Sequence, residues 1–170
     1  MTVQLATARL TLRELSADDA DFLVELLNSP TFLQHIGDKG VRDAAGALRY
    51  LDTGPGASYR QHGAGLWRVG LAGCDTPIGI CGPVFRPQLP APDLGFALLP
   101  AYSGQGYGFE AGQACVDYLQ GEAGIRELLG ITDDANTASQ ALLVKLGFVW
   151  DGYREVYPGE PALRLYRRAR

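Results

Sequence analysis

Residues Asp93–Gly112 read DLGFALLPAYSGQGYGFEAG. An apolar run from Leu94 to Leu99 stops at Pro100, glycines follow at Gly104, Gly106 and Gly108, and a helix-compatible segment runs from Phe109 to about Gln120. The pattern predicts strand, glycine-rich turn, helix. Glycines at every second position let the backbone turn tightly and approach a ligand closely. The helix behind them aims its free N–H groups and positive dipole end at the turn. Such a site suits phosphate. No Gly-Lys-Ser/Thr run closes it, so a P-loop is not supported. The dinucleotide fingerprint would need glycine where Phe109 stands. Taken alone, the same stretch also reads as a plain glycine-rich connector.

The chain has 170 residues, enough for one domain over 1–170 with a substantial core. At 46% hydrophobic and 20% charged it has the composition of an ordinary globular protein. The net charge of −4 argues against a general affinity for nucleic acid and is compatible with an amine or other cationic substrate. No apolar run approaches the roughly 18 residues of a membrane span, and the N-terminus lacks the layout of a signal peptide. Cys74, Cys81 and Cys115 form an odd set without metal spacing, which predicts reduced thiols, a cytoplasmic location and no metal.

Arg9–Glu14 alternates as a half-buried strand does. Ser16 reads as an N-cap, and Phe22, Leu23, Leu26 and Leu27 form a helical stripe stopped at Pro30. Segment 31–40 reads as an irregular connection. A second helix is expected over Arg42–Leu51, broken at Gly54-Pro55-Gly56. Gly65–Leu71 and Pro77–Phe85 read as an antiparallel hairpin, and Arg86–Pro92 as a loop. After the central stretch come a strand at Ile125–Ile131, a turn at Asp133–Asn136 and a helix at Thr137–Leu146 with Gly147 at its end. Two final strands follow, at Phe148–Gly152 and Ala162–Tyr166, and Arg167, Arg168 and Arg170 read as a solvated basic tail. This order predicts an α/β (mixed α+β) fold, a mixed sheet with helices on both faces.

Three stretches carry a family resemblance: TARLTLRELSADDADFLVELLNSP near the start, LGFALLPAYSGQGYGFEAG, and NTASQALLVKLGF with Gly152 shortly after. With these the chain resembles the GNAT superfamily of acyl-CoA-dependent N-acetyltransferases, and within it the ribosomal-protein N-terminal acetyltransferase-like (RimJ/RimL-type) branch. The resemblance implies a mostly antiparallel sheet splayed between strands 4 and 5. It implies acetyl-CoA as cosubstrate and an amine acceptor that is a protein N-terminus or a small molecule; the chain is expected to be a monomer or homodimer and, from its charge and hydropathy, to engage neither nucleic acid nor membrane. The family's pyrophosphate turn maps onto Ser103–Gly108. Ser103 departs from its first position, which removes a side-chain contact but not the backbone cradle. Gly104, Gln105, Gly106, Tyr107 and Gly108 are then expected to hold the pyrophosphate through backbone N–H groups. Phe96–Leu99 is expected to receive the pantetheine arm, with Leu98 and Leu99 foremost.

Asn136 matches an asparagine that contacts pantetheine or the neighbouring chain, and also reads as a helix N-cap. Ser139 matches the branch's serine beside the thioester sulfur, against a reading as a plain helical serine. Asp93 occupies an acidic position of the branch and is the candidate base, against a reading as a solvated strand-end carboxylate. Glu110 is explained by the helix dipole. The tyrosine acid of many relatives falls near Leu143, so that role passes to Ser139. His35 and His62 lie in connections with no partner in view. Segments 31–40, 54–64 and 86–92 are expected to border the substrate. Other readings are a non-catalytic acyl-CoA-binding module of the same fold and, from the glycine turn alone, a nucleotide-binding signalling domain.

Overall fold

The alternating run after Arg9 forms strand β2 (Leu10–Glu14), whose Leu10 and Leu12 are fully buried. The computed structural model describes residues 4–170. It adds a strand the sequence did not announce, β1 (Gln4–Ala6), paired antiparallel with β2. Three residues are too few to display an alternation. The remaining strands are β3 (Trp67–Leu71), β4 (Pro77–Val84), β5 (Asp93–Leu98), β6 (Glu127–Thr132), β7 (Val149–Arg154) and β8 (Leu163–Ala169). They form one sheet in the order β1-β2-β3-β4-β5-β6-β8-β7. Every neighbouring pair is antiparallel except β5 and β6, which run parallel and share a single registered pair, Asp93 with Leu129. The expected splay is therefore present. With β1 counted it falls between the fifth and sixth strands, not the fourth and fifth.

Helices α1 (Ala20–Leu27), α2 (Pro30–His35), α3 (Ala44–Thr53) and α4 (Pro55–His62) come between β2 and β3. Helix α5 (Tyr107–Asp117), continued by a π turn over Tyr118–Glu122, links β5 to β6, and α6 (Thr137–Lys145) links β6 to β7. Two apolar layers hold them. Leu23, Leu26, Phe32 and Ala47 of the first three helices pack with Ile80 and Leu99. Ala111, Cys115 and Leu119 of the α5 segment pack with Leu10, Trp67, Cys81 and Leu128. Ile80 and Cys81 are successive residues of β4 that enter opposite layers, as the period of two requires. Helices thus cover both faces.

Two proline signals work differently from the expectation. Pro30 does not end α1 so much as begin α2, and Pro55 begins α4 one residue after Gly54. At the first helical position proline has no N–H to lose and its φ is already helical. Segment 31–40 is consequently helical through His35, and 54–64 is mostly helix. The basic tail is also corrected, because Arg167 and Arg168 lie within β8. Arg167 donates to Asp151 (3.1 and 3.0 Å) and pairs with Glu127, and Arg168 donates to the Leu146 carbonyl (3.0 Å). No helix among the described residues is long and apolar enough to cross a membrane.

Candidate active site

The site begins where β5 and β6 part. The Leu99 N–H donates to the Ile78 carbonyl (2.8 Å), and the Leu99 carbonyl accepts from Tyr102 (2.9 Å). Hydrogen-bonded and non-bonded pairs alternate along an antiparallel ladder. Ala97 opposite Ile80 and Gly95 opposite Gly82 therefore bond to β4 as Leu99 does, while Phe96 and Leu98 turn their N–H and C=O groups away, towards β6. β6 is out of register there, having paired only at Leu129, whose N–H reaches the Pro92 carbonyl (2.9 Å). Phe96 and Leu98 keep the backbone groups that the sequence reading required. Leu99 does not: both its backbone groups are committed and its side chain is buried in the core.

Gly104 (φ +74°) and Gly106 (φ +83°) occupy left-handed conformations on an exposed turn, and Gly106 is the N-cap of α5. Behind it, the N–H groups of Tyr107, Gly108 and Phe109 have no acceptor within the helix. Gly108 serves another purpose. Its φ is ordinary, and a Cβ there would lie 3.3 Å from Leu142 Cδ2, so it brings α6 close. The turn is braced from β2's flank. Arg9 donates to the Gln105 carbonyl (3.1 Å) and to Glu110 Oε1 (2.7 Å), and its guanidinium lies 4.3 Å from the Tyr107 ring centre. Glu110 also accepts from the Arg9 N–H (2.9 Å) and from the Thr7 hydroxyl. Burial pushes the Glu110 carboxyl up, but Thr7 and Arg9 together hold it below its usual range. Glu110 is thus a tie between β2's entry and α5, which goes beyond the dipole explanation.

On the side of α2–α4 a cavity of about 400 Å³ opens against β4, β5 and the β6–α6 connection. That size falls in the small-ligand class of about 300–1,000 Å³. Asp93, Phe96, Asn136 and Ser139 all line it. Leu98, Leu99, Gly104, Gln105, Gly106, Tyr107 and Gly108 do not, so the cavity and the glycine turn are separate features of the surface. The Asn136 side-chain oxygen accepts from the Ser139 N–H (3.1 Å), capping α6 and leaving the side-chain NH2 for a ligand. Ser139 is largely buried at the cavity wall. Leu143 lies in the core against Gly130, well removed from any hydroxyl role.

Asp93 is no solvated strand end. It is 2% exposed, and Arg86 reaches both its oxygens, through Nε at 2.8 Å and Nη2 at 3.4 Å. Arg86 also donates to the Tyr157 hydroxyl. Burial pushes the Asp93 carboxyl up and Arg86 opposes it, with burial the larger effect. For Arg86 burial acts downward, but Asp93 and Tyr157 together raise it. The two-point contact makes this an ion pair at neutral pH. Tyr50, also on the cavity wall, is pushed up to about 12 by burial and stays a hydroxyl donor.

Two histidines set aside in the sequence line the same cavity. His35 Nδ1 lies 3.1 Å from Asp133 Oδ2, a contact between residues 98 apart in sequence. His62 stacks on Phe85 with ring centres 3.9 Å apart. No local signal marks the first pair, since its two residues come together only through tertiary structure. Each segment expected to border the substrate lines this cavity: 31–40 contributes Phe32, His35 and Lys39, 54–64 contributes Pro55 and His62, and 86–92 contributes Arg86.

Residues 9–149 match the family model described as the acetyltransferase (GNAT) domain. The chain belongs to the GNAT acetyltransferase family. Acetyl transfer is the chemistry of GNAT proteins, and acetyl-CoA is their cosubstrate. Among solved structures, an acetyltransferase of Agrobacterium tumefaciens is 25% identical, with a TM-score of 0.83 over 99% of this chain and 95% of that one. A Salmonella typhimurium acetyltransferase that modifies the N-terminal serine of a 50S ribosomal subunit protein shares the fold at 17% identity (TM-score 0.78, 96% of each chain). A microcin self-immunity acetyltransferase, solved in complex with acetyl-CoA and AMP, does so at 15% identity (TM-score 0.77, 96% of this chain and 93% of that one). The GNAT splay is the β5/β6 divergence.

Proposed function

We propose that this GNAT protein transfers an acetyl group from acetyl-CoA to a primary amine by direct attack within a ternary complex. The observation that carries the reading is the divergence of β5 from β6 beside the cavity. It presents the Phe96 and Leu98 backbone groups to a ligand next to Asp93, Asn136 and Ser139. Acetyl-CoA supplies an activated carbonyl and a thiol leaving group with a pKa of about 8.5. The amine nitrogen bonds the acyl carbon, the carbon–sulfur bond breaks with its electron pair on sulfur, and the amine's extra proton must be removed.

The chain's residues divide that work. The exposed turn Gly104–Gly106 and the first-turn N–H groups of Tyr107 and Gly108 hold the pyrophosphate. The Phe96 and Leu98 backbone binds the pantetheine amides, and a β5 N–H polarises the carbonyl. The Asn136 side-chain NH2 steadies the arm, and the Ser139 hydroxyl serves the departing sulfur. Two groups in the cavity can take the amine proton through water. One is Asp93, basic through burial but held by Arg86. The other is His35, oriented by Asp133. The same reading makes residues 1–170 a single domain acting in the cytoplasm as a monomer or homodimer.

The placement of Leu143 in the core, where relatives use a tyrosine, favours a second reading: an acyl-CoA-binding module without turnover. One assay separates the two. The protein is incubated with acetyl-CoA and a broad amine panel, and free CoA is measured beside CoA binding by calorimetry. Release of CoA with at least one amine is expected. Tight CoA binding with no release for any amine would select the binding module.

A further inference from the structure

The chain is acidic overall, at −4, but the cavity is not. Its charged lining residues are Lys39, Arg86 and Asp93, joined by His35 and His62. Asp93 is the one carboxylate among them, and Arg86 already occupies both its oxygens (2.8 and 3.4 Å). Lys39 has no acidic partner within 4.0 Å among the described residues, and its neighbour Asp38 is taken by Arg42 at 2.5 Å. Although the Lys39 side chain reaches solvent, the protein packed around it and the nearby Arg86 guanidinium both push its ammonium below its usual range, and no acid offsets them. His35 is matched by Asp133 from outside the lining. The balance leaves one uncompensated cation, Lys39, beside the Arg86 guanidinium.

Building on the acetyl-transfer reading above, we infer that the acceptor is a primary amine that itself carries a carboxylate. Its anionic end would lie at Lys39 and Arg86, and its nitrogen towards Phe96 and Ser139. Arg86 has five N–H donors and gives one each to Asp93 Oδ1, Asp93 Oδ2 and Tyr157, so it can bond a further anion. The aromatic and aliphatic walls, Phe32, Tyr50, Ile80 and Phe85, suit the body of such a molecule. A positive surrounding also helps the chemistry, because it disfavours the ammonium form of a bound amine and raises the share of the neutral nucleophile. A polyamine, which the overall charge alone would have favoured, meets repulsion here.

The required carboxylate can belong to a free amino acid or to an acidic residue next to a peptide's terminal amine. Acceptor pairs distinguish the two: alanine against alaninamide, and the amidated dipeptides alanyl-glutamate against alanyl-glutamine. Each is assayed for kcat/KM and, by calorimetry on the CoA complex, for affinity, with wild type and with Lys39→Glu. Lys39 is an exposed loop residue, so the variant should melt like wild type. At least one carboxylate form should exceed its amide partner by about fivefold or more in wild type, and Lys39→Glu should abolish or reverse the preference. Equal use of both members of each pair, or a preference unchanged in Lys39→Glu, overturns the inference while leaving acetyl transfer standing. Absence of turnover with every acceptor overturns the acetyl-transfer reading alone. The affinities then decide the charge inference: carboxylate-selective binding supports it, and equal or absent binding rejects it.

Discussion

Gly112 of α5 lies directly against Leu146, the C-cap residue of α6: a Cβ at residue 112 would come within 2.8 Å of Leu146 Cδ1. One turn earlier, Gly108 stands in the same relation to Leu142, at 3.3 Å. Two glycines four residues apart on one helix thus receive two leucines four residues apart, one on α6 and one at its C-cap, and both helices point their N-termini to the same end. Gly112→Val should therefore destabilise the fold by about 1–3 kcal/mol through overpacking, despite the better helix propensity of valine. Thermal melting measures this. Adding Leu146→Ala should recover part of the loss if the clash is its source; strictly additive losses would refute the packing account.

Gly106 should be the residue most sensitive to a side chain in the phosphate turn. At φ +83° any L residue is strained by about 1–3 kcal/mol, and a Cβ would come 3.3 Å from Arg9 Nη2. Gly106→Val should stay folded, because the turn is exposed, yet lose at least about tenfold in acetyl-CoA affinity. Gly104→Ala is the control, since its φ is also positive but its Cβ would meet nothing within 4 Å. Calorimetry and melting on both variants make the comparison, and a Gly106→Val protein that binds CoA normally would remove the pyrophosphate assignment.

The Glu110 tie should make stability fall in acid. A carboxyl lowered in the folded state contributes stability that is present above its unfolded pKa, about 4.3, and is lost as pH drops through the lower folded value. Since Arg9 is half-exposed, the contribution after screening is about 1 kcal/mol. Glu110→Gln should lower the melting temperature at pH 7 and flatten its decline below about pH 4.3. Parallel acid profiles for the two proteins would show that the tie contributes nothing.

Ser139→Ala should lower kcat by about tenfold while leaving the KM for acetyl-CoA nearly unchanged, as expected for a hydroxyl acting on the departing sulfur. A rise in KM with kcat intact would assign the hydroxyl to binding instead.

His35→Gln tests the proton's destination. If the histidine takes it, kcat should fall at least about tenfold across the pH–rate profile. Asp133→Asn should reproduce the effect more weakly, because it removes the orienting partner rather than the base. If His35→Gln keeps its rate and profile, Asp93 is the acceptor. Asp93→Asn is the less clean probe, because it takes the carboxylate partner from the partly buried Arg86 and so costs stability as well.

The sequence alone determined the element types around the glycine turn, the hairpin of β3 and β4, the α6 cap at Asn136 and the α/β class. Each of these rests on local chemistry: periodicity, caps and positive-φ glycines act within a few residues. It also brought Phe96, Leu98, Ser139 and the bordering segments into view through motif and order. The tertiary structure decided the rest. Which of Phe96, Leu98 and Leu99 faces the gap depends on the ladder to β4, and register is a relation between strands. That Gly108 packs a helix, while Gly104 and Gly106 make the turn, depends on where α6 lies. Asp93 became the buried half of an ion pair, and His35 met Asp133 across 98 residues, only once the sheet and helices had closed around one cavity. Charge balance belongs to that last group. A net of −4 is summed over the whole chain, whereas a ligand meets only the side chains within a few ångströms, where screening leaves their fields intact.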